Sequence, residues 1–346
     1  MTRAVEPDAA AGAEERPEEP EEPPRLVDLD RIRTAARLLD GVAIKSPLVP
    51  FGPPDARQFL KAESLQPIGA FKIRGAYVAV ASLGDDQRAR GVITYSSGNH
   101  GQGVARAARL LGVPAVVVMP EGAPAIKSVR IAADGAEIVW VGPSSDERQH
   151  VAERIAAERG LAIIPPYDDD RIIAGQGTVG LEIAEALPDL AAVLVPIGGG
   201  GLASGVAAAV RALRPSARIV GVEPELAADA RDSLAAGRIV AWSSDNVSRT
   251  IADGTRTTAI GRRNFAHLRA LLDIIVTVSE EEIVAGVRLA AEESRLVAEP
   301  SGALSVAALR FRAVEAGIVG LDGDVVAIVS GGNVDPERYR EYLRPG

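Results

Sequence analysis

From residue 92 onward the chain alternates short β-branched runs with longer amphipathic segments rich in Ala, Arg and Leu. The apolar run at 92–95 precedes a helical pattern at 104–111, the run at 115–119 one at 126–133, and the run at 137–141 one at 151–159, with a further run at 161–164. A second series places runs at 192–197, 218–223, 274–278 and 325–330 among helical patterns at 202–213 and 280–294. Short continuous apolar runs suit strands buried on both faces, and apolar residues recurring every three or four positions suit helices. A parallel strand needs a long crossover to return, so this rhythm predicts an α/β fold of two largely parallel sheets flanked by helices. Pro165-Pro166 marks the expected crossing between the two layers.

With 346 residues, 47% of them hydrophobic, the chain can bury a core of about two domains. Residues 1–25 are set apart by Pro, Glu and Ala with almost no large apolar side chain, and are expected to form a disordered acidic tail. That tail carries Glu6, Asp8, Glu14, Glu15, Glu18, Glu19, Glu21 and Glu22, so much of the net charge of −9 lies outside the folded part. The chain has no Lys/Arg run and only 3% aromatic residues, which argues against a nucleic-acid partner. The apolar stretches have the length of core strands, far short of a membrane span, and the N-terminus has neither the order of a secretory signal nor the character of a transit peptide. A cytoplasmic address is the expectation. The absence of cysteine removes disulfides, thiolate metal sites and cysteine nucleophiles.

Three segments carry chemistry. The first, Gly198-Gly199-Gly200-Gly201, follows an apolar strand and opens a helix. Glycines let backbone N–H groups converge on an oxyanion, and the helix start adds unpaired donors and the positive end of its dipole, so a phosphate is the expected guest. A tight strand-to-helix turn is the plainer explanation, although it needs fewer glycines. No Gly-Lys-Ser/Thr follows, and Gly199, Gly201 and Gly205 miss the dinucleotide spacing by one residue.

The second segment, Ser96-Ser97-Gly98-Asn99-His100-Gly101, again joins a strand end to a helix. Its small donors suit a carboxylate, and they suit a simple N-cap equally. The third is Phe71-Lys72-Ile73-Arg74-Gly75, in which Lys72 has apolar neighbours; taken alone, it reads as an ordinary surface lysine. His100, His150 and His267 are far apart in sequence, so no histidine zinc cluster is indicated, and no G-x-S-x-G nucleophile elbow is present.

Together the segments Lys61 to Ala76, Ser96 to Gln102, Ala174-Gly-Gln-Gly-Thr178, Pro196 to Gly201, Ile251-Ala-Asp-Gly254, Glu299-Pro300 and Ser330-Gly-Gly-Asn333 resemble the fold-type II pyridoxal-phosphate (PLP) enzymes, in the branch of serine/threonine dehydratases and serine racemases. The resemblance spans about Leu26 to Asp335. It implies that Lys72 is the Schiff-base lysine and catalytic base. Gly198, Gly199, Gly200 and Gly201 would cradle the cofactor phosphate, Phe71 and Asn99 would contact the ring and its 3′-oxygen, and Ser330 would face the pyridine nitrogen. Ser96, Ser97, Gly98, Asn99 and His100 would hold the substrate carboxylate. A neutral hydroxyl at Ser330 does not enforce ring protonation, which favours elimination over transamination. The implied reaction is dehydration and deamination of L-threonine or L-serine to 2-oxobutanoate or pyruvate plus ammonia.

Ser97 stands where racemases of this branch protonate the opposite face, so amino-acid racemisation is the alternative, as is 3-hydroxyaspartate dehydration on the same scaffold. Tyr167 stands where such racemases tend to carry Asn and dehydratases an aromatic. Ala70 departs from the Ser that many relatives have there, which loosens the match slightly. Glu223, Ala227 and Asp229 match the branch's divalent-cation site, for Mg²⁺ or Ca²⁺; a solvated, acid-rich helix start is the plainer alternative. The resemblance also implies a homodimer, a large domain of residues 26–85 plus 169–346, a mobile small domain of 86–168, and no C-terminal amino-acid-sensing domain. A β-replacement synthase and a non-enzymatic phosphate-ligand-binding protein are the weaker readings.

Overall fold

The computed structural model describes residues 24–53, 55–96, 98–122, 125–142 and 145–344. The expected acidic tail, up to residue 23, and Ser97 lie outside these described residues. Among the described residues there are ten strands: β1 (Leu48–Phe51), β2 (Gln58–Ala62), β3 (Val92–Thr94), β4 (Ala115–Pro120), β5 (Glu137–Val141), β6 (Ala162–Ile163), β7 (Leu190–Pro196), β8 (Arg218–Pro224), β9 (Ile274–Val278) and β10 (Asp324–Val329). They form a six-stranded sheet in the order β1-β2-β10-β7-β8-β9 and a four-stranded sheet in the order β5-β4-β3-β6. Every pairing is parallel except β1 with β2, so the predicted α/β class with two mostly parallel sheets is the observed one.

The larger sheet is covered on both faces, which explains why β7, β8 and β10 read as continuous apolar runs. One face packs against Leu304, Ala307 and Ala308 of the helix Pro300–Phe311, and the other against Val179, Val206 and Val210 of the helices Asp170–Ala186 and Gly201–Leu213. The last two helices approach at Gly205, where an added Cβ would overlap the backbone at Ile173 and Gly177. The Ala174-Gly-Gln-Gly-Thr178 segment therefore serves helix–helix packing, and Gln176 adds an acceptor for the Gly75 N–H at 3.2 Å. Among the described residues no helix is long and apolar enough to cross a membrane.

The β1–β2 hairpin lies outside the rhythm read from the sequence, for a physical reason. In β2, Lys61 looks like a surface residue but is buried, with Nζ donating to Glu182 and to the Ser46 carbonyl. Arg74, also buried, donates to Glu63 at 2.7 Å and to Glu182 at 2.6 Å. This ionic cluster joins β2, the helix Lys72–Ala81 and the helix Asp170–Ala186, and so fixes the start of the helix that opens with Lys72.

Candidate active site

The glycine loop sits at the C-terminal end of β7, where ligands gather in open parallel sheets. Gly200 has φ +94°, a conformation that excludes an ordinary side chain, and a Cβ there would lie 2.8 Å from Cβ of Asn264. Cβ atoms at the flanking glycines would press on Thr255 from Gly198 and on the Tyr167 ring from Gly199. The cradle is thus walled by the loop following Ile251, by the helix Arg262–Leu271 and by Tyr167, with the N-terminus of a thirteen-residue helix at its base. Backbone donors, a dipole and no room for side chains fit a phosphate group.

Lys72 opens its helix beside the end of β10: the Phe71 N–H donates to the Ser330 carbonyl at 3.0 Å, and Ala70 bridges Gly331. Its Nζ donates to the Pro166 carbonyl at 2.8 Å, one residue from Tyr167 over the glycine loop, and lies 5.2 Å from the Phe71 ring centroid. Burial alone brings this amine down to about 8. An amine so placed is half neutral near that pH, which is what a covalent cofactor anchor and proton acceptor requires. Burial also pushes the Tyr167 phenol up, so its hydroxyl stays protonated.

Asn99 begins the helix Asn99–Leu111, its Nδ2 donating to Glu299 Oε1 at 2.6 Å. Asn333 donates from Nδ2 to Asn99 Oδ1 at 2.9 Å and to the Ile68 carbonyl at 2.8 Å. Burial first, then the charge of Asp253, raises the Glu299 carboxyl to about 7. Ser330 is buried at the end of β10, with Oγ 3.5 Å from the Ser301 carbonyl, too long for a strong bond.

His100 is buried, its Nε2 donating to the Ile164 carbonyl at 3.0 Å. Burial, reinforced by the charge of Lys72, brings it down to about 3. The imidazole is therefore neutral, and the charge for holding an anion at this loop does not come from it. Ser96 and Gly98 flank the loop, and the expected role of Ser97 falls outside the described residues.

Glu223, at the end of β8, is buried and accepts from the N–H groups of Ala230 and Arg231 at 3.0 and 2.8 Å. Asp229 starts the next helix, and both its carboxylate oxygens are buried without a well-formed hydrogen bond. Burial raises Asp229 to about 7; burial and the neighbouring Asp229 charge raise Glu223 well above the ordinary range. A buried carboxylate short of donors at Asp229, beside a second buried carboxylate at Glu223, fits a hard divalent cation in charge and ligand type. Among the described residues no group of three or more His, Cys, Asp or Glu side chains is arranged to hold a metal, so such an ion would also depend on carbonyl or water oxygens.

Sequence reasoning assigned no role to Glu299, Asn333 or Asn264, although the first two lie in segments that carried the resemblance. The structure brings Lys72, Phe71, Asn99 and Ser330 together with Glu299 and Asn333, and it places the glycine loop beside them through Pro166 and Tyr167.

A buried lysine at a helix start, linked through Pro166 and Tyr167 to a glycine loop at the carboxyl end of a parallel sheet, fits a cofactor that bears a carbonyl and a phosphate. The chain belongs to the family of pyridoxal-phosphate dependent enzymes, whose pattern matches residues 43–331. It is 45% identical to L-threo-3-hydroxyaspartate ammonia-lyase of Saccharomyces cerevisiae, over 83% of this chain and 86% of that protein. It is also 45% identical to L-threonine ammonia-lyase of Geobacter sulfurreducens, over 83% of this chain and 70% of that one. The solved structure of maize serine racemase superposes with a TM-score of 0.86 at 38% identity, covering 92% of this chain and 97% of that chain. PLP is thus the cofactor of the family, and its relatives include both ammonia-lyases and racemases.

Proposed function

We propose that the chain is an ammonia-lyase that removes water from a small β-hydroxy amino acid, L-threonine or L-serine; the released enamine then takes up water and hydrolyses to 2-oxobutanoate or pyruvate plus ammonia. The observation that carries this reading is the Lys72 amine, brought down to about 8 by burial and held beside the glycine cradle through Pro166 and Tyr167. Bound PLP supplies an electron sink for the charge left at Cα. Lys72 Nζ anchors the cofactor and then, as free amine, takes the Cα proton. Gly198, Gly199, Gly200 and Gly201 present backbone N–H groups to the phosphate. Phe71 would pack on the ring, Asn99 would face the 3′-oxygen and Ser330 the ring nitrogen. A neutral hydroxyl at that last position would leave the sink moderate, which favours loss of a β-leaving group.

The loop from Ser96 to His100 holds the substrate carboxylate by hydroxyl, amide and backbone donors, since the His100 ring is neutral and committed to Ile164. Residues 86–168 act as a mobile cover that excludes water, in a cytoplasmic homodimer. Glu223, the Ala227 carbonyl and Asp229 would hold Mg²⁺ or Ca²⁺, a reading supported by the two buried Asp229 oxygens that lack a well-formed hydrogen bond.

Racemisation of serine, with Ser97 serving the face opposite Lys72, is the second reading, and the likeness to maize serine racemase favours it. Dehydration of 3-hydroxyaspartate is the third, favoured by the likeness to the yeast enzyme. Against racemisation stands Tyr167, an aromatic against Gly199. The test is release of 2-oxo acid from L-threonine, L-serine and L-threo-3-hydroxyaspartate, with D-serine measured alongside. Lys72→Ala is expected to lower turnover by roughly a thousandfold or more. D-serine formed faster than pyruvate would move the assignment to the racemase, and oxo-acid release that survives Lys72→Ala would remove it from this site.

A further inference from the structure

Arg130 lies on the helix Ala125–Ala133, between β4 and β5 of the smaller sheet, and is exposed. Its NH1 donates to Asn333 Oδ1 at 2.6 Å, across to the loop that follows β10 of the larger sheet. A guanidinium has only donors, so it meets the oxygen of that amide and not its nitrogen. With Oδ1 committed, the two N–H groups of Asn333 go to the Ile68 carbonyl at 2.8 Å and to Asn99 Oδ1 at 2.9 Å. The Asn99 oxygen is then occupied, its Nδ2 faces Glu299 Oε1 at 2.6 Å, and one N–H of Asn99 is left over. The polarity of the whole chain of amides follows from a donor at one end and an acceptor at the other.

We propose that Arg130 is a positioning residue: from the mouth of the site it holds Asn333, and through it Asn99, in the orientation that presents an Asn99 N–H to the 3′-oxygen of the cofactor. The inference rests on the reading of Lys72 and Asn99 as PLP-binding residues. An anionic oxygen accepts from an N–H and is repelled by an amide carbonyl, so the orientation decides whether Asn99 stabilises or destabilises the charge there. Arg130 and Asn99 belong to helices of the smaller sheet, while Asn333, Ile68 and Glu299 lie with the larger one. The relay therefore ties the alignment of Asn99 to the seating of one layer on the other. A second bond from the same helix, Lys127 Nζ to Asp253 Oδ2 at 2.8 Å, joins the two layers without touching the amides, and provides a control.

The experiment begins with borohydride reduction and peptide mapping of the PLP-loaded wild-type protein. An adduct at Lys72 upholds the underlying reading; an adduct elsewhere, or none, removes that reading and the present inference together. The loaded proteins Arg130→Met, Arg130→Lys and Lys127→Met are then compared by pH titration of the cofactor's visible absorption and by steady-state kinetics. Because Arg130 is exposed, these variants keep the fold. Arg130→Met is expected to raise the spectral midpoint by roughly half a pH unit and to lower kcat/KM roughly 3- to 10-fold, the range of one weakened hydrogen bond. Arg130→Lys, which restores a donor, should recover most of both, and Lys127→Met, which removes a charge near Glu299 but no bond to the amides, should move the midpoint clearly less than Arg130→Met. With the Lys72 adduct secured, an unmoved midpoint in Arg130→Met overturns the inference alone. So does an equal shift in Lys127→Met, which would assign the effect to docking of the layers, or an Arg130→Lys protein no better than Arg130→Met.

Discussion

Lys72 shows how a residue's chemistry comes from its surroundings. The same side chain on an exposed helix would titrate near its ordinary value; here burial brings it down to about 8. The folded cofactor-free protein therefore holds this proton less tightly than the unfolded chain does. The resulting penalty is complete below about pH 8, fades as pH rises through the interval up to the ordinary lysine value of about 10.4, and is gone above it. Lys72→Met is accordingly expected to stabilise the cofactor-free protein at pH 7 by roughly 1–3 kcal/mol, with the gain shrinking toward pH 10; denaturant melts at the two pH values measure it. Gly200 makes the opposite case, in which the backbone and not the side chain is selected. Gly200→Ala forces a Cβ toward Asn264 at φ +94° and should cost about 1–3 kcal/mol, together with a weakened PLP affinity, both readable in one thermal-shift titration with the cofactor.

The helices and strands carry the site by fixing where their ends fall. The helix Lys72–Ala81 is held at its start by Arg74, whose guanidinium is shared between Glu63 and Glu182 in the interior. Removing one member of a buried ionic cluster leaves the others uncompensated, so Arg74→Met should destabilise by about 3–5 kcal/mol in urea melts. Much of this level is visible in the sequence. The runs that became β4, β7, β8 and β10 announce themselves by continuous apolar residues, because these strands are buried on both faces. β2 does not, because the charge of the buried Lys61 is met by a partly buried partner that lies 121 residues away along the chain. The second series of glycines, at 175, 177 and 205, likewise gives no local sign that it exists to let helices touch.

For the molecule as a whole, two layers meet along Asn99–Glu299, Asn99–Asn333, Arg130–Asn333 and Lys127–Asp253, so that Asn99, proposed to contact the cofactor, also joins the layers. Binding that favours the folded state should be felt globally. Mg²⁺ in millimolar excess is expected to raise the melting temperature of the wild-type protein by a few degrees and to leave Asp229→Asn unmoved, an outcome that differential scanning calorimetry separates cleanly. A variant that gains as much as the wild type would place the cation elsewhere. The sequence alone determined the α/β class and the glycine loop after β7, since each is written in consecutive residues whose pattern or backbone freedom is local. Only the tertiary structure decided that Lys72 is a depressed amine and not a surface cation, that His100 is neutral and turned to Ile164, and that Asn333 reaches Asn99 across 234 positions of sequence. Burial, desolvation and the direction of a hydrogen bond belong to neighbours in space, and packing alone brings those neighbours together.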